Sequence, residues 1–275
     1  MTTLILVLLF IMVPTTSGSQ TVKANLGKQN IYRDSGKVMG GQPTDGKDLY
    51  SIRFGKHDTF ERLVLDIHEW TTDKNLILKG KSPPAAIPCQ FEVTYEEYPF
   101  RLFFDLEGVR WSSATLPNHK SSEYISGMYF IFPDSWGNER LAVTSKKPIE
   151  YEVFELHGPA RIVVDIKARD SSAIKLPPVY SLRSRSSDDQ DELREFQYRL
   201  LDLKNQDDFW GREKEIPKGN KIRIIKSQDN KLFIEEGYYK TKQEALKRQK
   251  YFAKEGITLF IEKRKADEIP QVIQK

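Results

Sequence analysis

One phrase recurs three times in this chain: an arginine, three apolar residues, an aspartate and a further apolar residue. It reads RLVLDI at Arg62–Ile67, RLFFDL at Arg101–Leu106 and RIVVDI at Arg161–Ile166. A six-residue run rich in β-branched and aromatic side chains is a strand by length and composition, and its fixed charged positions argue against chance. The flanks extend the repeat. SIRFGKHDTFERLVL from Ser51 and MYFIFPDSWGNERLAV from Met128 share a strand, a polar turn and Glu-Arg-Leu. Each leads to a second pair, EVTYEEYPFRLFFDL from Glu92 and YEVFELHGPARIVVDI from Tyr151. The middle of the chain therefore reads as two copies of one β module.

The charges within the phrase have a structural reading. Side chains four apart on a strand share a face, so Arg161 and Asp165 lie with Val163 while Ile162, Val164 and Ile166 point the other way. The Ile-Val-Ile face belongs on a core. Arg62 with Asp66, Arg101 with Asp105, and Arg161 with Asp165 then fall on the wetter face, where they pair within or across strands for about 0.2–1 kcal/mol each. Direct contact of these pairs with a ligand is the other reading.

The residues also carry a resemblance. LHGPARIVVDI from Leu156 resembles the end of an AMIN domain, in which Pro, any residue and Arg precede an apolar run closed by Asp. EYPFRLFFDL is similar, with Pro99 two residues before Arg101 as Pro159 is before Arg161. The resemblance covers residues 48–170 and implies a β sandwich of two similar sheets in an envelope protein that binds peptidoglycan or attaches to secretin-type machines. Thr71 to Ile87 and Val109 to Ser122 read as insertions. One fold with symmetric halves and two small units in tandem, 48–110 and 124–170, both remain open.

Leu4–Val13 is an uninterrupted apolar run followed by Pro14 and small residues, the layout of a secretory signal peptide over 1–19. Ser17 and Ser19 suit the positions before cleavage, with a mature start near Gln20, and the run is too short for a lasting bilayer anchor. The expectation is export to the periplasm or cell envelope with no membrane span after cleavage. Cys89 is the single cysteine, so no internal disulfide forms, and it reads as a small apolar strand residue. Residues 20–47 and 171–193 read as polar linkers without sustained period, the second carrying Pro177-Pro178 and SLRSRSSDDQD.

Beyond residue 194 the texture changes. KIRIIK from Lys221 and LFIEEGYY from Leu232 read as strands around a polar turn, followed by a helix, TKQEALKRQKYFAKEG, and a strand, ITLFIEKR. Thr241 with Glu244 three later is a capping box and Gly256 a helix stop. Ala245, Leu246, Phe252 and Ala253 form the expected buried stripe, interrupted by Gln249. This stretch, 194–265, resembles a SPOR domain, with Gly237, Tyr239, Lys240, Thr241, Gln243, Glu244 and Ala245 falling into that family's frame; 266–275 is left as a tail. The resemblance implies two helices on one face of a four-stranded antiparallel sheet that binds peptidoglycan glycan strands lacking stem peptides. REFQYRLLDL from Arg194 is then the opening strand with Gln197 at the family's frequent Gln position, while DDFWGREKEIPKGNK makes a poor helix because Gly211, Pro217 and Gly219 break it. Either the first helix is degenerate or the unit is half of such a domain.

The fold class expected is thus multidomain and mainly β, an AMIN-like sandwich with an internal twofold repeat plus a small α+β SPOR-like domain. Residues 194–275 hold 20 Lys and Arg against 14 Asp and Glu, a net of +6, while the remainder is −2. That excess suits a polar or anionic envelope polymer and is modest for a nucleic-acid binder. Sugar binding would use rings and amides on an open sheet face. Alternation puts Leu232 and Ile234 toward the helices and Phe233 and Glu235 outward, with Tyr239 at the strand end and Gln197 on the first strand; these four are the expected glycan contacts. His57, His68, His119 and His157 have no metal-ligand spacing, no nucleophile motif is present, and Glu96 and Glu97 point to opposite faces. The expectation is a non-enzymatic protein without cofactor or metal, with peptidoglycan or an envelope machine such as a secretin or pilus as partner; a cell-wall hydrolase is the remote third reading.

Overall fold

A computed structural model describes residues 20–73, 82–132, 138–169, 178–209, 221–227 and 229–272. Its strands are β1 (Thr21–Lys23), β2 (Asn25–Leu26), β3 (Lys37–Gly40), β4 (Lys47–Lys56), β5 (Glu61–Glu69), β6 (Phe91–Glu97), β7 (Phe100–Glu107), β8 (Val109–Ser112), β9 (Ile125–Phe132), β10 (Asn138–Ser145), β11 (Ile149–Leu156), β12 (Arg161–Ala168), β13 (Val179–Arg183), β14 (Lys221–Lys226), β15 (Leu232–Tyr239) and β16 (Phe260–Arg264). The helices are α1 (Gln190–Phe209) and α2 (Lys242–Lys254), so the fold is mainly β. The expected signal peptide lies outside the described residues. Among those residues no helix is long and apolar enough to cross a membrane.

Two sheets form. One has six strands in the order β2-β11-β12-β5-β4-β8, the other ten in the order β1-β3-β6-β7-β10-β9-β14-β15-β13-β16. The sequence repeat explains the centre of both. Its first copy gives hairpin β4–β5 to the six-stranded sheet and β6–β7 to the ten-stranded one; the second copy gives β9–β10 and β11–β12 to the opposite sheets. The copies meet edge to edge twice, β12 antiparallel to β5 and β10 antiparallel to β7. They are interleaved in one sandwich and not strung in tandem, because each hairpin needs an edge supplied by the other copy. Leu63, Leu65 and Ile67 of β5, Ile162, Val164 and Ile166 of β12, and Leu102, Phe104 and Leu106 of β7 fill the space between the sheets. The hairpin-turn prolines match as well: Tyr98–Pro99 and Gly158–Pro159 are both cis.

Several expectations are corrected. Residues 20–47 are not a linker: β1 and β3 extend the ten-stranded sheet and β2 pairs in parallel with β11, while Ala24 and Val38 reach the core. Short edge strands gain their backbone hydrogen bonds from a sheet already present, so they need no apolar alternation of their own. The segment after Val109, expected as an insertion, supplies β8 as a parallel edge beside β4.

The second expected linker contains β13, which lies between β15 and β16. The segment REFQYRLLDL is helix α1, not a strand. Asp189 caps it, its Oδ1 accepting from the backbone N–H of Asp191 and Glu192 at 2.9 and 3.1 Å. Leu193, Phe196 and Leu200 face the sheet, a period of three to four. The C-terminal unit therefore runs strand, helix, two strands, helix, strand, in the split β-α-β-β-α-β arrangement with both helices packed on one face of β14-β15-β13-β16. The capping box and Gly256, with φ +73°, bound α2 as read. Its buried stripe differs: Ala245, Arg248 and Phe252 face inward, while Leu246 and Ala253 are exposed.

The two units share a sheet because β9 pairs antiparallel with β14. That sheet curls strongly. Strands β7 and β15 are four steps apart, about 19 Å if flat at the usual spacing, yet the Arg101 guanidinium lies 4.8 Å from the Tyr238 ring centroid. Tyr98 also donates from its hydroxyl to the carbonyl of Pro178 at 2.8 Å. The residues after β16 close the curl. Ile269 and Val272 pack on Tyr129, Ile131 and Phe233, and the Gln271 carbonyl accepts from Arg183 Nη2 at 2.6 Å. A Cβ at Gly127 would collide with Ile269, so glycine there permits the closure.

Candidate functional site

The four expected glycan contacts are all buried. Gln197 sits on α1, and its Nε2 donates to the Ile222 carbonyl at 3.2 Å, tying that helix to β14. Phe233 does point away from the helices, but into the curl, where the Arg183 guanidinium covers its ring at 3.6 Å. Tyr239 points to the helix side and donates from its hydroxyl to Glu236 at 2.6 and 2.7 Å. The face expected to be open is occupied because the sheet curls and the terminal residues lie across it.

Glu235 is the centre of what fills that face. Its carboxylate accepts from Arg264 at 2.7 Å, Arg223 at 3.2 Å and the Tyr238 hydroxyl at 3.0 Å. Burial pushes the Glu235 carboxyl up, but the guanidinium groups of Arg264, Arg223, Arg183 and Arg101 outweigh it and hold the group well below its ordinary value. Arg101 completes the network with Glu96 at 2.8 Å, Tyr129 at 3.1 Å and Tyr238. Burial raises the Tyr238 hydroxyl, so it remains protonated and able to donate. Glu235, Arg101, Arg183, Arg223 and Arg264 are buried, Glu96 and Tyr238 lie partly exposed at the margin, and the arrangement serves as a polar core.

The repeat's charge pairs are structural at the sheet centres. Asp165 faces Arg62 across β12 and β5, with Nε–Oδ1 at 2.6 Å and Nη2–Oδ2 at 2.8 Å, and Lys28 adds a bond at 2.6 Å. The expected wet face of β12 is thereby covered, by the segment read as a linker. Asp66 accepts from Arg53 at 2.6 and 2.7 Å, and Asp105 from Arg140 at 3.0 Å. Arg161 stands opposite Asp66 in register and donates to the Pro159 carbonyl at 3.4 Å. Glu96 and Glu97 go to different partners, Arg101 and Arg169. Cys89 is buried and its thiol is pushed up to about 12 by that burial, the opposite of an activated nucleophile. Among the described residues no group of three or more His, Cys, Asp or Glu is placed to hold a metal ion.

The clefts open to solvent include two that bring charged groups together. The larger, about 1030 Å³, lies among residues 114–120, β9, the β14–β15 turn and the terminal segment, where Lys120, Lys146 and Lys226 meet Asp267 and Glu268. The smaller, about 660 Å³, lies at one end of the sandwich and includes Trp70, Asp45, Glu107, Arg110 and Asn138. Sequence reasoning missed this second group. The available signal was Trp70, which follows the end of β5, where a large ring has no call on the alternating core. Comparison with protein-family models, curated proteins and solved structures finds no match.

Proposed function

We propose that this chain is a non-enzymatic cell-envelope protein that binds peptidoglycan, with an AMIN-like sandwich and a SPOR-like C-terminal unit, and that it acts at division sites. The observation supporting this is the architecture of residues 178–265. With Val179–Arg183 as first strand, two helices lie on one face of a four-stranded antiparallel sheet, the arrangement that the SPOR resemblance implies. The first helix is α1, so the unit has both halves. Neither the repeat's charge pairs nor Cys89 offers a reacting group, which is why we favour binding over hydrolysis. Cosedimentation of the full chain with intact and amidase-stripped sacculi tests the reading. Pelleting with either supports it; no pelleting at low and moderate salt overturns it.

One observation favours a second reading, docking to a secretin, pilus or motility machine. The sheet face on which a SPOR-type glycan site is expected is filled by the Glu235 network and the terminal residues. Recovery of one envelope protein with the chain, together with absent sacculus binding, would select it.

A further inference from the structure

We infer that the cleft around Trp70 is a binding site for a neutral pyranose saccharide. The site is built before any ligand arrives. The N–H groups of Gly46 and Lys47 both donate to the Gly108 carbonyl, at 3.0 and 2.9 Å, and Trp70 N–H donates to the Gly46 carbonyl at 2.8 Å. Gly108 has φ +80°, and a Cβ there would collide with the Thr44 carbonyl. Three chain segments, the loop before β4, the end of β5 and the turn between β7 and β8, are thus fixed to one another at the cleft floor. Such pre-ordering removes part of the entropic cost of binding.

The chemistry around that floor is saccharide chemistry. Trp70 keeps 37% of its surface exposed although its backbone is fixed. The exposed part of the indole, which the Arg110 guanidinium also approaches, offers apolar surface to the C–H face of a pyranose. Around it stand hydroxyl-binding groups. Arg110 makes a two-bond pair with Asp45 through Nε, at 2.5 Å, and Nη2, and lies 5.6 Å from the Trp70 ring. Glu107 is positioned by Gln90 Nε2 at 2.8 Å, and Asn138 adds an amide. Two carboxylates against one guanidinium leave the cleft net negative, which disfavours phosphates, nucleotides and acidic sugars. The volume is within the range of about 300–1,000 Å³ for small-molecule sites. The assignment deepens the wall-binding proposal and rests on it only for the source of the sugar, the neutral N-acetylglucosamine units of the glycan chain, which alternate with the carboxylate-bearing units that this cleft disfavours.

The test is calorimetric titration of the full chain with chitotetraose, beside sacculus cosedimentation, for wild type, Trp70→Ala, Asp45→Asn and Trp111→Ala. Asp45 and Trp111 are exposed, so these two variants keep the fold if Trp70→Ala does not. Saturable chitotetraose binding, weakened at least tenfold by Trp70→Ala, several-fold by Asp45→Asn and less than twofold by Trp111→Ala, is the expected result. Absent tetramer binding, or tetramer binding indifferent to Trp70 and Asp45, overturns the assignment and leaves wall binding to be judged by pelleting. Trp70-dependent tetramer binding without pelleting supports the cleft and overturns the wall proposal.

Discussion

Arg62 and Asp165 face each other across β5 and β12 in a two-bond ion pair, and Arg140 and Asp105 occupy the repeat-equivalent positions across β10 and β7. The twofold repeat thus carries one cross-strand charge pair into each sheet. Their surroundings differ. Asp165 has no exposed surface, whereas Asp105 and Arg140 are partly exposed. Arg62→Ala leaves a buried carboxylate with Lys28 as its remaining cation and is expected to cost about 3 kcal/mol; Arg140→Ala should cost no more than about 1 kcal/mol. Urea denaturation of both variants checks the asymmetry, and equal costs would show that burial of Asp165 does not govern the pair.

Glu235 should make stability depend on acid pH. Its folded-state value lies below the ordinary 4.5. Its contribution is therefore complete above about pH 4.5 and declines as pH falls from there toward the folded-state value. Glu235→Gln leaves Arg223 and Arg264 without their shared anion and should lose about 3–5 kcal/mol at pH 7. Below pH 4.5 the gap between variant and wild type should narrow. Denaturant midpoints measured from pH 7 to pH 3 test this; a gap that stays constant would contradict it.

Gln197 is expected to matter for stability and not for recognition. Gln197→Ala removes the bond from α1 to the Ile222 carbonyl and should cost about 1 kcal/mol, more if the carbonyl stays unpaired. Sacculus binding by the folded variant should match wild type. A variant of wild-type stability that no longer pelleted would restore Gln197 as a glycan contact.

Ile269 holds the terminal segment over the curled sheet. Ile269→Ala should destabilise by about 1–3 kcal/mol, since the side chain is only partly buried. Binding of a hydrophobic dye should rise as Tyr129, Ile131 and Phe233 lose cover. Unchanged dye binding and midpoint would show that the segment adds nothing to closure.

Local chemistry was legible where the residues themselves decide the outcome. The repeated phrase marked β5, β7 and β12, their flanks marked the matching hairpins, and Thr241 with Glu244 and Gly256 bounded α2. α1 was legible too and was misread: Asp189 and the spacing of Leu193, Phe196 and Leu200 are helix signals, but an alternation of single aromatic residues in REFQY mimics a strand. β13 gave little warning, because Ser181 and Arg183 are polar and are buried only through partners far along the chain, Glu262 among them.

The sequence by itself therefore determined the strand repeat, its hairpins and the capped helix, since propensity, turn chemistry and short-range periodicity act within a few residues; how the two copies pair was decided by the tertiary structure. Only the tertiary structure decided which faces are open. The pairing of β9 with β14 and the curl that brings Arg101 to Tyr238 buried the expected sugar-binding face, while three segments distant in sequence met at Trp70. Exposure depends on which remote chain covers a surface, and no local pattern encodes that.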